Sequence, residues 1–203
     1  MSMCNFTYKA LSTILNNRLS THLPHWINLE LHGFVKQRSI QGAITLCQEF
    51  IYVLNTQFHG PNMVVKMDMD KAYDRLEWSF IINDLTCMGL SSCAIDLLFM
   101  CFSSSWLAVR FIGMNYGFFK AVCGSRKGDP VSPSLFILTL DVLSYLINMG
   151  IMHGTILPYR SKSRSCGISH LMFADDTVIF MNAGMRSVRG INKIISDYCL
   201  CSG

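Results

Sequence analysis

The most informative stretch of this chain is Phe173-Ala174-Asp175-Asp176. It lies between two short apolar runs, residues 170–172 and 177–180, and this pattern predicts a tight β-hairpin with two carboxylates at its tip. Asp-Asp alone is ordinary in a turn, because Asp tolerates turn conformations. A third carboxylate, Asp68, ends a second apolar strand. Three carboxylates on two strands can hold a pair of divalent cations, and such a pair carries out nucleotidyl transfer.

Length and composition indicate a globular protein. The 203 residues correspond to one domain, or to one domain and part of another. Apolar residues make up 51% and charged residues 15%, which favours a large core and excludes a disordered chain. The net charge of +4 permits contact with a polyanion but does not by itself indicate one.

The nine cysteines and the first residues bear on the cellular compartment. The chain does not open with a basic segment followed by an apolar one, so we expect no secretory leader. Four cysteines lie among apolar residues: Cys47, Cys87, Cys93 and Cys101. We interpret them as reduced core thiols of an intracellular protein, nuclear or cytoplasmic and not secreted.

Two apolar stretches, residues 93–102 and 135–151, raise the question of a membrane. The first is short and contains Asp96, and the second contains Asp141. Neither has the roughly 20 uninterrupted apolar residues that a bilayer needs. We interpret both as buried helices and expect no membrane partner.

Hydrophobic spacing predicts strands mixed with long helices in irregular order, which indicates an α+β domain. A strand is expected over 63–68, and two more are expected around a turn at 113–115. Gly89 is expected to end one helix, and Ser132 to cap another. Asp68 and Asp175 lie 107 positions apart, so only the fold can bring them together.

Several blocks now point to one family. Lys66-Met67-Asp68-Met69-Asp70-Lys71-Ala72-Tyr73-Asp74 resembles motif A of reverse transcriptases from non-LTR (LINE-type) retrotransposons, especially those of plants. Gly128-Asp129-Pro130-Val131-Ser132-Pro133 resembles their motif B, and Phe173-Ala174-Asp175-Asp176 their motif C. Residues 33–40 resemble the fingers of that family, and residues 117–119 resemble the segment before motif B. The blocks stand in family order over nearly the whole chain.

This resemblance implies a right-hand polymerase palm, an antiparallel sheet backed by helices, with partial fingers and the thumb absent. The implied divisions of the reverse transcriptase domain at 1–203 follow the motifs. They are partial fingers at 1–60, palm motif A at 61–90, a fingers and palm hairpin region at 91–125, and palm motifs B and C at 126–203.

The resemblance also implies the chemistry, that of an RNA-directed DNA polymerase. Asp68 and Asp175 would bind two Mg²⁺ ions, with Mn²⁺ as a possible substitute, and Asp176 would add negative potential beside them. The expected partners are an RNA template, a DNA primer and deoxynucleoside triphosphates. The oligomeric state stays open.

Further positions are implied to bind the nucleotide or the template. Tyr73 would lie beneath the sugar and exclude a 2′-hydroxyl; the alternative is a core aromatic. Lys71 and Ala72 would offer backbone N–H groups to the triphosphate. Gly128 would let the backbone approach the nascent base pair. Arg38 would touch template or nucleotide, or else be a solvated charge.

The sequence departs from the family in several places. Lys127 stands where Gln usually contacts the nucleotide, and a cation cannot reproduce the donor and acceptor pattern of an amide. Gln37 stands where Gly is usual, and Cys123 where a basic residue is frequent. We therefore keep open a catalytically decayed retroelement fragment that binds nucleic acid weakly or serves only as an interaction module. An RNA-templated RNA polymerase is a third reading, against which Tyr73 argues.

Overall fold

The computed structural model describes residues 6–55, 61–104, 106–126, 128–160 and 168–203. The described helices and strands follow in chain order: α1 Phe6–Trp26, α2 Ile40–Asn55, β1 Asn62–Asp68, α3 Ala72–Arg75, α4 Trp78–Cys87, α5 Ser92–Ser103, β2 Trp106–Phe111, β3 Met114–Lys120, α6 Ser132–Met152, β4 His170–Phe173, β5 Asp176–Asn182 and α7 Met185–Ser202. This mixture of helices with antiparallel strands confirms the α+β class. The strand at 63–68 is confirmed as β1, and the helix expected to end at Gly89 is α4, which Gly89 follows with a φ of +82°.

Strands β1, β5 and β4 form an antiparallel sheet in that order, with β5 in the centre. Phe173 pairs with Asp176, so the β4–β5 connection is a two-residue loop of Ala174 and Asp175. The predicted hairpin is thereby confirmed. The connection between α1 and α2 adds to the outer edge of β4, where Leu31 forms a parallel bridge with Met172.

The sheet lies between two helical layers, because its side chains alternate between the faces. On one face Phe180 of β5 stacks on Phe50 of α2, with ring centroids 4.1 Å apart. The other face supplies Ile179 and Met181 to the main core, which also includes residues of α1, α4, α5, α6 and α7. The sheet that carries the aspartates is therefore packed on both faces.

Helix α6 is the central element of the main core. Among the described helices it alone is long and apolar enough to span a bilayer by length and composition. Leu135, Leu143 and Ile147 on it are fully buried within the protein. The second apolar stretch is thus the buried helix expected from the sequence, and the first is α5. The expectation for the cysteines is wrong at Cys87 and Cys93, which are exposed.

The start of α6 differs from its prediction. Ser132 is the first helical residue, and Val131 is the capping position without a side-chain cap. The hydroxyl that accepts the Val131 N–H, at 3.2 Å, comes from Ser12 of α1. A residue distant in sequence has therefore replaced the local cap.

Strands β2 and β3 form a separate two-stranded ribbon. The sequence placed its turn at 113–115, but the turn consists of Ile112 and Gly113. Both have positive φ, 47° and 78°, which is the requirement of a type I′ hairpin turn. The prediction failed because Ile rarely adopts this conformation and gives no turn signal.

Candidate active site

Three aspartates lie at one end of the three-stranded sheet. The β1–β5 register places Asp68 directly opposite Asp176, a pairing in which Cα atoms lie about 4.5–5.5 Å apart. Beyond it, the Met69 N–H donates to the carbonyl oxygen of Asp175 at 3.3 Å. The fold thus brings together acids that lie 107 positions apart in the sequence.

A lysine that the sequence analysis missed belongs to the same cluster. Lys66 precedes Asp68 by two residues on β1 and so shares its face of the sheet. Its Nζ lies 3.0 Å from Oδ1 of Asp176. The hydrogen bond that Lys66 donates to Asp176, followed by the negative charge of Asp176, raises the pKa of Lys66. The i, i+2 spacing of Lys66 and Asp68 was the available signal.

This donor set fits a hard divalent cation. Within the described ranges, His, Cys, Asp and Glu side chains form no ready-made group of three or more ligands. Mg²⁺ seldom uses such a cage: one or two carboxylates hold it, and water and substrate phosphates complete its shell. With Asp176 paired to Lys66, Asp68 and Asp175 are the two carboxylates that would hold the ion.

The loop that carries Asp175 is under backbone constraint. Ala174 has a φ of +49°, the left-handed region that non-glycine residues rarely adopt. The segment after α1 lies against it: a Cβ on Gly33 would come 2.7 Å from the backbone N of Ala174. Nearby, the His32 N–H donates to the Met172 carbonyl at 2.9 Å. The first connection of the chain therefore braces the Asp175 loop.

Tyr73 packs against the core, as one of the two alternatives expects, and its contact with the nucleotide sugar stays a prediction. Its ring stacks on Phe136 of α6 with centroids 4.4 Å apart, and it is half-buried. Burial, followed by the negative charge of Asp175, raises its pKa to about 12. Tyr73 thus packs against the core helix and lies within electrostatic reach of Asp175.

Lys71 and Ala72 lie in the turn between β1 and α3. Lys71 caps α3 with a φ of +54°, and its carbonyl accepts hydrogen bonds from the N–H groups of Asp74 and Arg75. Helix α3 is a single turn that begins at Ala72. These residues therefore sit three and four positions beyond Asp68, and their contact with a triphosphate stays a prediction.

The motif B turn is anchored to α1 by a buried carboxylate. Asp129 accepts hydrogen bonds from Tyr8 at 2.9 Å and from Ser12. Gly128 beside it is exposed, has a φ of +90°, and has no heavy atom within 4 Å of a Cβ position. The backbone at Gly128 is thus open to a ligand. Lys127 lies outside the described residues.

Arg38 is bound within the protein. Its guanidinium donates to the carbonyl oxygens that end α1 and follow it: Pro24, Ile27, Asn28 and Leu31. It is therefore not a simple solvated charge, and its contact with template or nucleotide stays a prediction. The arginine fixes the connection that carries Gly33, a role that no local sequence pattern signals.

An apolar groove of about 340 Å³ adjoins the carboxylates. Helix α2 forms one wall with Ile40, Ile44 and Cys47, and the hairpin forms the other with Phe173 and Asp176. The acidic end of the sheet therefore opens onto a surface that can accept a flat apolar group.

Solved structures share this fold. Telomerase from Candida tropicalis in complex with a fragment of telomeric RNA matches over 97% of this chain with a TM-score of 0.62 and 12% sequence identity. Apo telomerase of the same organism, truncated from its C-terminal domain, matches over 95% with a TM-score of 0.58 and 14% identity. The chain covers 32% and 37% of those two chains. The chain thus shares its fold with these parts of telomerase.

The family follows from the sequence comparison. The family described as reverse transcriptase (RNA-dependent DNA polymerase) matches residues 1–202, and the chain belongs to this family. An uncharacterized mitochondrial protein of Arabidopsis thaliana is 38% identical over 90 residues, which are 44% of this chain and 66% of that protein.

A second relative places the chain among non-LTR reverse transcriptases. The Pol polyprotein of the type-1 retrotransposable element R2 from Popillia japonica is 27% identical over 116 residues, 57% of this chain. The match covers 18% of that polyprotein. The recognition made from motifs A, B and C is confirmed.

Proposed function

We propose that this chain is the catalytic part of an RNA-directed DNA polymerase that adds deoxynucleotides to a primer 3′-hydroxyl by two-metal nucleotidyl transfer. The observation that carries the proposal is the meeting of Asp68, Asp175 and Asp176 at one end of the sheet. In this proposal the sheet and α6 form the palm, and β2–β3 with the α1–α2 region belongs to the fingers. We place the protein in the nucleus or cytoplasm.

Asp68 and Asp175 would hold the two Mg²⁺ ions. When bound, such ions activate the attacking hydroxyl and stabilise the charge of the leaving pyrophosphate. The chain itself contributes orientation. Tyr73, backed by Phe136, presents a rigid ring edge against the sugar, and the open backbone at Gly128 gives the base pair room.

Lys66 neutralises part of the acidic cluster. Its ion pair with Asp176 leaves fewer uncompensated negative charges around the two metal positions. The pair is exposed, so its contribution to stability is small. Its effect would be on the local electrostatic potential around the metal positions.

The test is primer extension on a primed RNA template with Mg²⁺ or Mn²⁺. We expect wild-type extension, and loss of it by about 10³-fold or more in Asp175→Asn, because electrostatic stabilisation is commonly the largest catalytic contribution. Asp197→Asn, an exposed carboxylate on α7, is the matched control and should keep full activity.

Two results would overturn the proposal. A folded wild-type protein that extends nothing with either metal has lost catalysis, and extension by Lys127→Gln would then identify a decayed site. Equal use of ribonucleotides and deoxynucleotides would instead support an RNA polymerase.

A further inference from the structure

A buried chain of hydrogen bonds connects α6 to β4. Nε2 of His170 lies 2.7 Å from the hydroxyl of Ser144, and Nδ1 lies 2.7 Å from the hydroxyl of Ser169. The Ser169 hydroxyl donates to Oδ1 of Asn148 at 3.0 Å. Ser144 and Asn148 belong to α6, whereas His170 begins β4. His170 and Ser144 are completely buried.

The last hydrogen bond fixes the direction of the others. Because the Ser169 hydroxyl donates its proton to Asn148, the Ser169 oxygen must accept a hydrogen bond from His170. Nδ1 of His170 therefore carries the ring proton. Nε2 is then an acceptor, and Ser144 donates to it. Burial lowers the pKa of His170 to about 4, which agrees with this neutral ring.

Both elements joined by this chain lead to the candidate active site. Phe136, which supports the ring of Tyr73, lies eight residues before Ser144 on α6, about 12 Å along the helix. On the other side, β4 runs from His170 directly into the loop of Asp175. A shift of α6 against β4 would therefore change the position of Tyr73 relative to Asp175.

We propose that His170 is a positioning residue that sets the spacing between Tyr73 and Asp175, and through it the rejection of nucleotides with a 2′-hydroxyl. The inference rests on the proposed function for its consequence, but its geometric part stands independently. An aliphatic or phenyl side chain at this position would fill the space, but it would leave the Ser144 hydroxyl without its acceptor and the Ser169 oxygen without its donor.

The test compares His170→Phe with Tyr198→Phe. Tyr198 donates to the Thr139 carbonyl at 3.2 Å and joins α6 to α7, so its variant also removes a buried hydrogen bond of α6 without involving β4. We expect the ratio of kcat/KM for deoxynucleotides over ribonucleotides to fall about tenfold or more in His170→Phe, since displacements near 1 Å can cost far more. It should change less than about twofold in Tyr198→Phe. Equal ratios in both variants would overturn the proposal.

A second measurement needs no catalysis. With 3-fluorotyrosine incorporated, the Tyr73 resonance is identified by its loss in Tyr73→Phe. We expect it to move in His170→Phe and to stay in place in Tyr198→Phe. Should His170→Phe fail to fold, Ser144→Ala removes one end of the chain with less loss of packing. If the Tyr73 resonance does not move in folded His170→Phe, the positioning role is wrong. If the resonance moves but the wild-type protein is inactive, only the proposed function is wrong.

Discussion

Residues in left-handed backbone conformations gather around the aspartates. Ala174 directly precedes Asp175, and Lys71 lies three positions beyond Asp68. Gln37 lies in the connection that braces the Asp175 loop, with a φ of +69°. Gln37 is also the position at which this sequence departs from the family's glycine. The positive φ at this position explains why the family has glycine there, since only Gly adopts positive φ without strain. The sequence showed the departure, and its cause required the backbone.

Gly33 permits a close approach that any side chain would prevent. We predict that Gly33→Ala lowers primer extension at least about tenfold, because its Cβ would push the backbone at Ala174 and displace Asp175. Gly42→Ala is the control: it lies in α2 with nothing within 4 Å and should stabilise the protein by about 0.5–1 kcal/mol. Extension rates and urea unfolding measure both. Full activity in Gly33→Ala would show that the loop tolerates the shift.

Asp84 carries a stability cost that depends on pH. Burial, followed by the charge of Asp141, raises its pKa to about 7, and Oδ2 has no hydrogen-bond partner among the described residues. Between its ordinary pKa and 7 the folded protein keeps a proton that the unfolded chain loses, so this group's stability contribution falls as pH rises through that window.

We therefore predict that Asp84→Asn is more stable than wild type at pH 8, by on the order of 1–2 kcal/mol after allowing for partial exposure, and that the difference narrows toward pH 4. Urea unfolding at several pH values gives the difference. The exposed Asp197→Asn should show no such trend. A difference in unfolding free energy between Asp84→Asn and wild type that does not depend on pH would contradict the raised pKa of Asp84.

Local sequence patterns correctly predicted those helices and strands whose positions depend on residues close together in the sequence. The β4–β5 hairpin, β1 and the end of α4 all follow from apolar spacing and turn residues, and they appear where expected. Contacts across long sequence distances gave no such signal. Ser12 capping α6, Arg38 binding the end of α1, and Lys66 meeting Asp176 depend on tertiary packing, which periodicity does not encode.

The ribbon of β2 and β3 lies in a part of the chain with an excess of positive charge. Residues 97–128 include four basic and no acidic residues. Arg110 and Lys120 lie on this ribbon, and Lys120 sits 5.1 Å above the exposed ring of Trp106. Surfaces that bind single-stranded nucleic acid typically combine cations with exposed aromatic rings.

We predict that replacing Arg110 and Lys120 together with Ala weakens binding to single-stranded RNA and reduces the slope of log K against log salt by about 1.4, roughly 0.7 for each lost phosphate contact. The matched control replaces Arg189 and Lys193 on α7, which are exposed and carry the same charge. Fluorescence titrations at several salt concentrations give both slopes. An equal loss in the two double variants would indicate a general charge effect.

For the molecule as a whole, we expect ion binding at the acidic end of the sheet to be coupled to folding. Asp68 and Asp175 lie at the same end of the sheet only in the folded state, so an ion held by both would stabilise that state by mass action. We predict that saturating Mg²⁺ raises Tm by roughly 5–10 °C, the equivalent of about 2.7 kcal/mol at one hundred times Kd. Asp68→Asn combined with Asp175→Asn should abolish the rise. Thermal scans at constant ionic strength test this, and an undiminished rise in the double variant would place the ion elsewhere.

The order of the sheet has a consequence for synthesis on the ribosome. β5 is the central strand, yet it is synthesised last of the three. More than one hundred residues are synthesised between Asp68 and its neighbour in the sheet, Asp176. A nascent chain that ends before Asp175 contains β1 without its neighbouring strand β5 and has no aspartate opposite Asp68. The appearance of ion affinity during translation would thus mark the moment at which the final strand inserts.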